Sequence, residues 1–406
     1  MRRVKLFLFG IIILSCIGTR VNGQIAAKPS VFSTDPEALV ANKRKIQNKN
    51  PKLIKSYKQL IKDAELELKF GPVSVTEKKN MPPSGNMHDY MSLAPYYWPD
   101  PSKKDGLPYL RKDGETNPEV KEYKDKEYMP KLCEAVYTLG LAYYYSGNEK
   151  YAGHAAKLLR VWFLDSSTKM NPNLNFGQAI RGTNTGRGAG LIDSRHFIKV
   201  VDAIGLMKGS EFWKMEDQDG MKLWLSDFLN WMQTSSNGID EMNALNNHGV
   251  WYDALRLAIA LFIDRIDMAK KIVENSQKRL DYQMDINGSF PKEMERTTSL
   301  HYSVFVIQAF FTIANMAEKT GIDLWQYKSP SGKSLKKGFD TFLPFISHES
   351  KWEGQQIKPF DFGESVPLLI EGARQFNCQK CMVNIKKIEG AKFERLRIRL
   401  LTNINL

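Results

Sequence analysis

The chain has 406 residues, 42% of them hydrophobic and 11% aromatic, so a sizeable core can form; intrinsic disorder, collagen and disulfide mini-scaffolds are excluded. Its formal net charge is +13, and the first 23 residues carry four positive and no negative charges, leaving +9. That balance fits a polyanionic partner in general: nucleic acid, a membrane surface or an acidic polysaccharide.

Arg2, Arg3 and Lys5 precede an apolar stretch from Leu6 to Leu14, too short to span a bilayer comfortably, and Val21-Asn22-Gly23 has the small-residue pattern of a cleavage site. Residues 1–23 therefore read as a secretory signal peptide, and residues 24–406 as one domain. Cys16, after Ile-Leu-Ser, leaves a lipoprotein reading open, in which the chain is anchored through that cysteine. No later apolar run approaches about 18 residues, which predicts no membrane-spanning segment after cleavage. Export, periplasmic or extracellular, makes nucleic acid an unsuitable partner and points the positive charge towards an exported polymer. Cys378 and Cys381 form a lone C-x-x-C pair; a zinc site needs more ligands nearby, so a local disulfide or buried thiols are expected.

The rest of the chain is dominated by helical periodicity. Asp35-Pro36 is an N-cap followed by proline at the first helical position. Leu39, Ile46, Leu53, Ile54, Tyr57 and Leu60 then share a face, with a break or kink at Pro51. Asn117-Pro118 repeats the start signal, and Ser146-Gly147-Asn148 stops that helix. Further helices are predicted near 150–164, 194–207, 210–234, 250–263, 265–283, 297–318, 334–346 and 364–376. Strand-type alternation is almost absent. The fold class is thus all-α, with at least ten helices in antiparallel pairs, as in an (α/α) toroid or incomplete barrel, although no strict repeat proves closure.

Two long stretches are not helical, 71–117 and 171–190, and loops of that length are usually functional. The first contains Tyr90, Tyr96, Trp98 and several prolines; flat aromatic faces stack on sugar rings, and an Ω-loop packed for stability is the alternative. The second contains Gln178, Arg187 and glycines at 177, 182, 186, 188 and 190. It lacks the Gly-Lys-Ser/Thr of a phosphate loop, so the glycines are expected to permit turns or a close backbone approach, with Gln178 and Arg187 facing a bound anion. Asn247-His248-Gly249-Val250-Trp251-Tyr252 lies at a helix start, where donors and the helix dipole favour a carboxylate. Arg296 precedes His301 and Tyr302; a Tyr beside a cation has a stabilised phenolate and can serve as acid or base.

These four segments, taken together and in this order, resemble the alginate-lyase family of polysaccharide lyases. The resemblance rests on Tyr90–Pro101 with its Trp-Pro-Asp-Pro, the 175–190 loop, Asn247-His248-Gly249, and Arg296 followed by Leu300-His301-Tyr302. It implies an (α/α) toroid, with the first loop as a lid over a cleft. It also implies that Asn247, His248, Arg296 and Tyr302 surround the scissile uronate. Tyr90, Tyr96, Trp98, Gln178, Arg187, Trp251, Tyr252 and His301 are the expected substrate-binding residues. The implied reaction is β-elimination on a 4-linked uronan, with alginate as first substrate, and it requires no metal and no cofactor. A glucuronan lyase is the main alternative. An (α/α)-barrel glycoside hydrolase, drawing its acid and base from Asp89, Asp100, Asp253, Glu293 and Glu295, is another.

Overall fold

The computed structural model describes residues 28–403; the expected signal peptide and Cys16 lie outside them. The first helix, Pro36–Gln47, begins as predicted, Asp35 accepting from the backbone N–H groups of Glu37 and Ala38. Pro51 is a true break: Asn50 caps a separate helix, Pro51–Glu67. Asn117 caps only a 3₁₀ turn, Pro118–Glu122, and the long helix begins later, Asp125–Ser146. Gly147 ends it in the left-handed conformation (φ 71°), and Asn148 caps Glu149–Leu159. A two-residue connection forces those two helices antiparallel; they pack on one another, and the first also packs on Phe197–Leu206. The same construction recurs downstream. Asn247–Phe262 packs against Ile266–Gln283 and against Ser299–Ala317.

One hydrophobic core runs from Val31 to Leu400. The two ends of the described segment meet: Asn42 donates to the carbonyls of Leu400 (3.0 Å) and Thr402 (2.8 Å), and Arg374 pairs with Asp35 at 3.3 Å. First and last helices thus join, which closes the arc of helix pairs. The segment Ser299–Thr320 is long and apolar enough to cross a bilayer, which corrects the expectation that no later run has that character. It is largely buried, because it is the central helix that both neighbouring layers cover.

Alternation is too brief to detect in the strands that do form. Met91–Leu93 pairs in parallel with Phe176–Ala179, and Tyr97–Trp98 pairs antiparallel with Leu110–Arg111. The first pairing joins the two long loops into one layer. That layer is pinned by the buried Lys78–Asp125 ion pair (3.1 Å), since Asp125 also accepts from the Met91 N–H at 2.9 Å. Cys378 and Cys381 form a disulfide, and Cys133 is a buried thiol.

Candidate active site

The two joined loops and the N-terminal ends of helices Asn247–Phe262 and Ser299–Ala317 enclose a cavity of about 660 Å³. Asn247, His248, Arg296 and Tyr302 all line it, as do Tyr96, Gln178, Arg187 and His301. Its wall is rich in cations: Arg111, Lys126, Arg187, Arg195 and Arg296, against Asp193, Asp240 and Glu241.

The Asn-His pair sits where the chain enters its helix. Asn246 caps that helix, accepting from the His248 N–H. Gly249 admits no side chain: a Cβ there would lie 2.3 Å from the Ala244 carbonyl oxygen and 2.3 Å from Arg279 Nη1. Arg279 is buried on Asp253 (2.7 Å) and donates to the carbonyls of Met242 and Ala244, so it fixes the turn that delivers Asn247. His248 Nδ1 lies 2.7 Å from the buried carboxylate of Glu241. A carboxylate only accepts, so Nδ1 carries the hydrogen, and Nε2 is left with its lone pair when the ring is neutral. Asn247 is fully buried; its backbone N–H donates to Glu293 Oε1 at 2.5 Å and its Nδ2 to both Glu293 oxygens at 3.1 and 3.0 Å.

Arg296 is held by Asp113 from the first loop, with Nε 3.0 Å and Nη2 2.7 Å from its oxygens. Burial works against the Asp113 anion, yet the hydrogen bonds from Arg296 and Thr297 hold its carboxyl well below the usual range. The guanidinium lies over the Tyr302 ring, 3.5 Å from its centroid. The Tyr302 hydroxyl is 2.8 Å from that of Tyr96. Burial pushes the Tyr302 phenol up, and the nearby Arg296 charge does not overcome it. Tyr302 is therefore a neutral, proton-bearing phenol at rest, rather than the phenolate that a cation alone favours.

The glycine-rich loop behaves as its composition predicts. Gly190 passes so close to Gly177 that a Cβ would sit 2.3 Å from the Gly177 carbonyl oxygen, and Arg187 N–H donates to that same oxygen at 3.1 Å. Gln178 is thereby forced to a positive φ of 51°. Its amide bridges Arg187 (3.0 Å) and Asp193 (3.2 Å), and Arg187 lies over the Tyr97 ring. His301 pairs with Glu364 at 2.6 Å and packs edge-on against Tyr302.

Four expected binding residues are not brought to the cavity. Tyr90 is buried and donates to Asp193 at 3.0 Å, rooting the first loop behind the wall. Trp98 turns outward, its indole N–H on the Glu115 carbonyl and its ring under Lys112, because strand alternation gives the inward face to its neighbours. Trp251 packs on Phe305, and Tyr252 is buried with its hydroxyl on the Met232 carbonyl. Both lie one turn deeper along the helix than His248, three and four residues on, where the core rather than the cavity covers them. In their place Tyr97, Arg111, Arg195 and Lys126 line the site. Glu241, Asp113 and Glu293, which set the geometry of the imidazole, guanidinium and amide, carry no local motif; only long-range pairing reveals them. The five carboxylates available to a hydrolase are absent from the cavity lining: Asp253 is paired with Arg279, Glu295 with Lys292, and Asp89 with Asn171 and Asn173. Asp100 caps Ser102 on the surface.

The alginate lyase family matches residues 74–352, more than half of the chain. The chain is similar to an alginate lyase from Bacteroides ovatus of known crystal structure, at 38% identity and a TM-score of 0.86, over 92% of this chain and 99% of that one. It also shares its fold with alginate lyase A1-III from Sphingomonas species A1, at 17% identity, a TM-score of 0.55, and 88% and 92% coverage. A variant of alginate lyase A1-III complexed with tetrasaccharide gives 16% identity and a TM-score of 0.58, over 88% and 91%. No match is found among curated protein sequences. With its closed ring of helix pairs and its match across the loops that form the cavity, the chain belongs to the alginate lyase family and is a polysaccharide lyase of the (α/α) toroid fold.

Proposed function

We propose that this lyase cleaves 4-linked alginate by β-elimination, leaving a 4,5-unsaturated uronate at the new end. The observation that carries the reading is the convergence of Asn247, His248, Arg296 and Tyr302 on one cation-rich cavity. The C5 proton of a uronate is weakly acidic because removing it loads more negative charge onto an anionic carboxylate. Arg296 and Asn247 are the groups that neutralise that carboxylate, and preorganised donors of this kind contribute several kcal/mol. His248, held in one tautomer by Glu241, takes the C5 proton through Nε2 where that proton and O4 lie on opposite faces, as in guluronate. Tyr302, neutral at rest, delivers its proton to O4. Where both lie on one face, as in mannuronate, Tyr302 does both jobs: its hydroxyl proton is first lost to solvent, the phenolate, stabilised by the Arg296 charge against the ring, takes the C5 proton, and the re-formed hydroxyl delivers that proton to O4. Tyr96, Gln178, Arg187 and His301 bind the flanking sugars. The chemistry uses only these side chains.

We further propose that the protein is exported, periplasmic or secreted, which agrees with a substrate too large to cross a membrane; cell fractionation tests this. Incubating the purified protein with polymannuronate, polyguluronate and glucuronan, and following ultraviolet absorbance, tests the substrate. Absorbance should rise with the two alginate polymers. A rise with glucuronan alone would transfer the activity to a glucuronate polymer.

A further inference from the structure

Glu293 is a carboxylate in an unusual position. It is 1% exposed, and the basic side chains nearest to it are engaged elsewhere, His248 with Glu241 and Arg296 with Asp113. Its hydrogen-bond partners are the backbone N–H of Asn247 and the side-chain Nδ2 of the same residue, which bridges both Glu293 oxygens. The other end of that amide, Oδ1, is buried without a hydrogen-bond partner in a residue that lines the cavity. In this arrangement the Nδ2 of Asn247 is held by Glu293, whereas the chemistry calls for a donor free to meet the uronate. An anion brought beside an unpaired carbonyl oxygen and a buried carboxylate is repelled by both.

We propose that Glu293 is a positioning residue that takes up a proton when the substrate carboxylate binds, and that the Asn247 amide then turns over. This rests on the lyase reading above. The proton comes from solvent and goes onto Glu293 Oε2; no other bond is made or broken. The new O–H donates to Asn247 Oδ1, now turned inward, which ends the isolation of that oxygen. Oε1 keeps its bond from the Asn247 backbone N–H, so the helix start is undisturbed. Both Nδ2 hydrogens then face the cavity and donate to the uronate. One proton thus removes a buried negative charge from behind the site and frees the Asn247 Nδ2 to donate to the substrate.

The surroundings favour this. Burial raises the Glu293 pKa, and the hydrogen bonds from Asn247 and the neighbouring Arg296 and His248, the titratable groups that face it, do not cancel that effect. An arriving carboxylate adds a second negative charge nearby and pushes in the same direction. A carboxylic acid held neutral so that it can donate a hydrogen bond is an established device for stabilising anions.

The test uses Tyr302→Phe, which binds without turnover, and a saturated alginate tetrasaccharide. Calorimetric titration at pH 7.5 in buffers of different ionisation enthalpy reports the number of protons taken up. Tyr302→Phe should take up about one proton per tetrasaccharide, and Glu293→Gln in the same background about none. Glutamine mimics the protonated acid, donating to Oδ1 and accepting from the backbone, so that double variant should keep its affinity while losing the pH dependence of binding. A merely structural Glu293 would leave the proton count unchanged. Binding by Tyr302→Phe with no proton uptake, or with the same uptake when Glu293 is replaced, overturns the proposal. If the double variant does not fold, the count for Tyr302→Phe decides alone. Failure of the tetrasaccharide to bind at all would overturn the alginate reading and this inference with it.

Discussion

Two opposed forces meet at the hydroxyl of Tyr302, and burial wins over the Arg296 charge stacked on its ring. Its neighbours divide the remaining work. His248 depends on Glu241 for its tautomer, so Glu241→Gln, which keeps an acceptor but can also present a donor to Nδ1, should lower kcat about tenfold or more with little change in KM. Steady-state kinetics on polyguluronate reads this out. His248→Ala should damage guluronate cleavage at least as much as mannuronate cleavage, because only the former needs a separate base; the reverse ordering would count against that role. Asp113→Asn frees Arg296 from its bidentate clamp and should raise KM and lower kcat together, about tenfold or more in kcat/KM. That Asn247, His248, Arg296 and Tyr302 line one cavity was legible in the types and order of these side chains, but the carboxylates behind them were not. Glu241, Asp113 and Glu293 stand 7, 183 and 46 residues from their partners, and no local pattern links such positions.

Among the elements, the starts and stops at Asp35-Pro36 and Gly147 were readable because their causes are local, each satisfying or ending a hydrogen-bond ladder within a few residues; at Pro51 the sequence left a break or a kink open, and the Asn50 cap makes it a break. Asn117-Pro118 carried the same signal and yielded only a 3₁₀ turn, since Tyr123 turns to extended backbone and Asp125 is drawn into the buried pair with Lys78. The four strands escaped notice because runs of two to four residues cannot display a period of two. They decide which aromatic residues face the cavity, so Trp98 was assigned where Tyr97 belongs. Backbone approach is the second element-scale device. Gly249→Ala places a methyl group against the Ala244 carbonyl and the buried Arg279, and should destabilise the fold by about 1–3 kcal/mol while displacing Asn247 and His248. A thermal melt with a parallel activity assay checks both effects; an unshifted melting temperature would show that the turn can relax.

For the whole molecule, the cationic cavity and the net charge of +9 outside the first 23 residues predict that KM for alginate rises with salt, because screening weakens attraction between exposed charges. Kinetics across a salt series checks this. Acid should weaken the fold in a defined window. Burial first, then the nearby charges of Arg195 and Lys199, push the His196 imidazole down to about 3, against about 6.5 in an unfolded chain. The unfolded state therefore binds the extra proton first, and the stability that neutral His196 contributes is present above pH of about 6.5 and is lost as the pH falls towards 3. Between about pH 6.5 and 5, above most carboxylate titrations, the melting temperature should drop, and His196→Asn should flatten that slope. All of these effects serve one claim, that side chains from four distant stretches of chain form a single proton-transfer centre. The most direct test compares wild type with Tyr302→Phe on alginate, following ultraviolet absorbance and measuring polymer binding in parallel. The variant should bind nearly as well while its turnover falls by a factor of about 10² to 10⁴. Turnover within a few-fold of wild type would contradict the account.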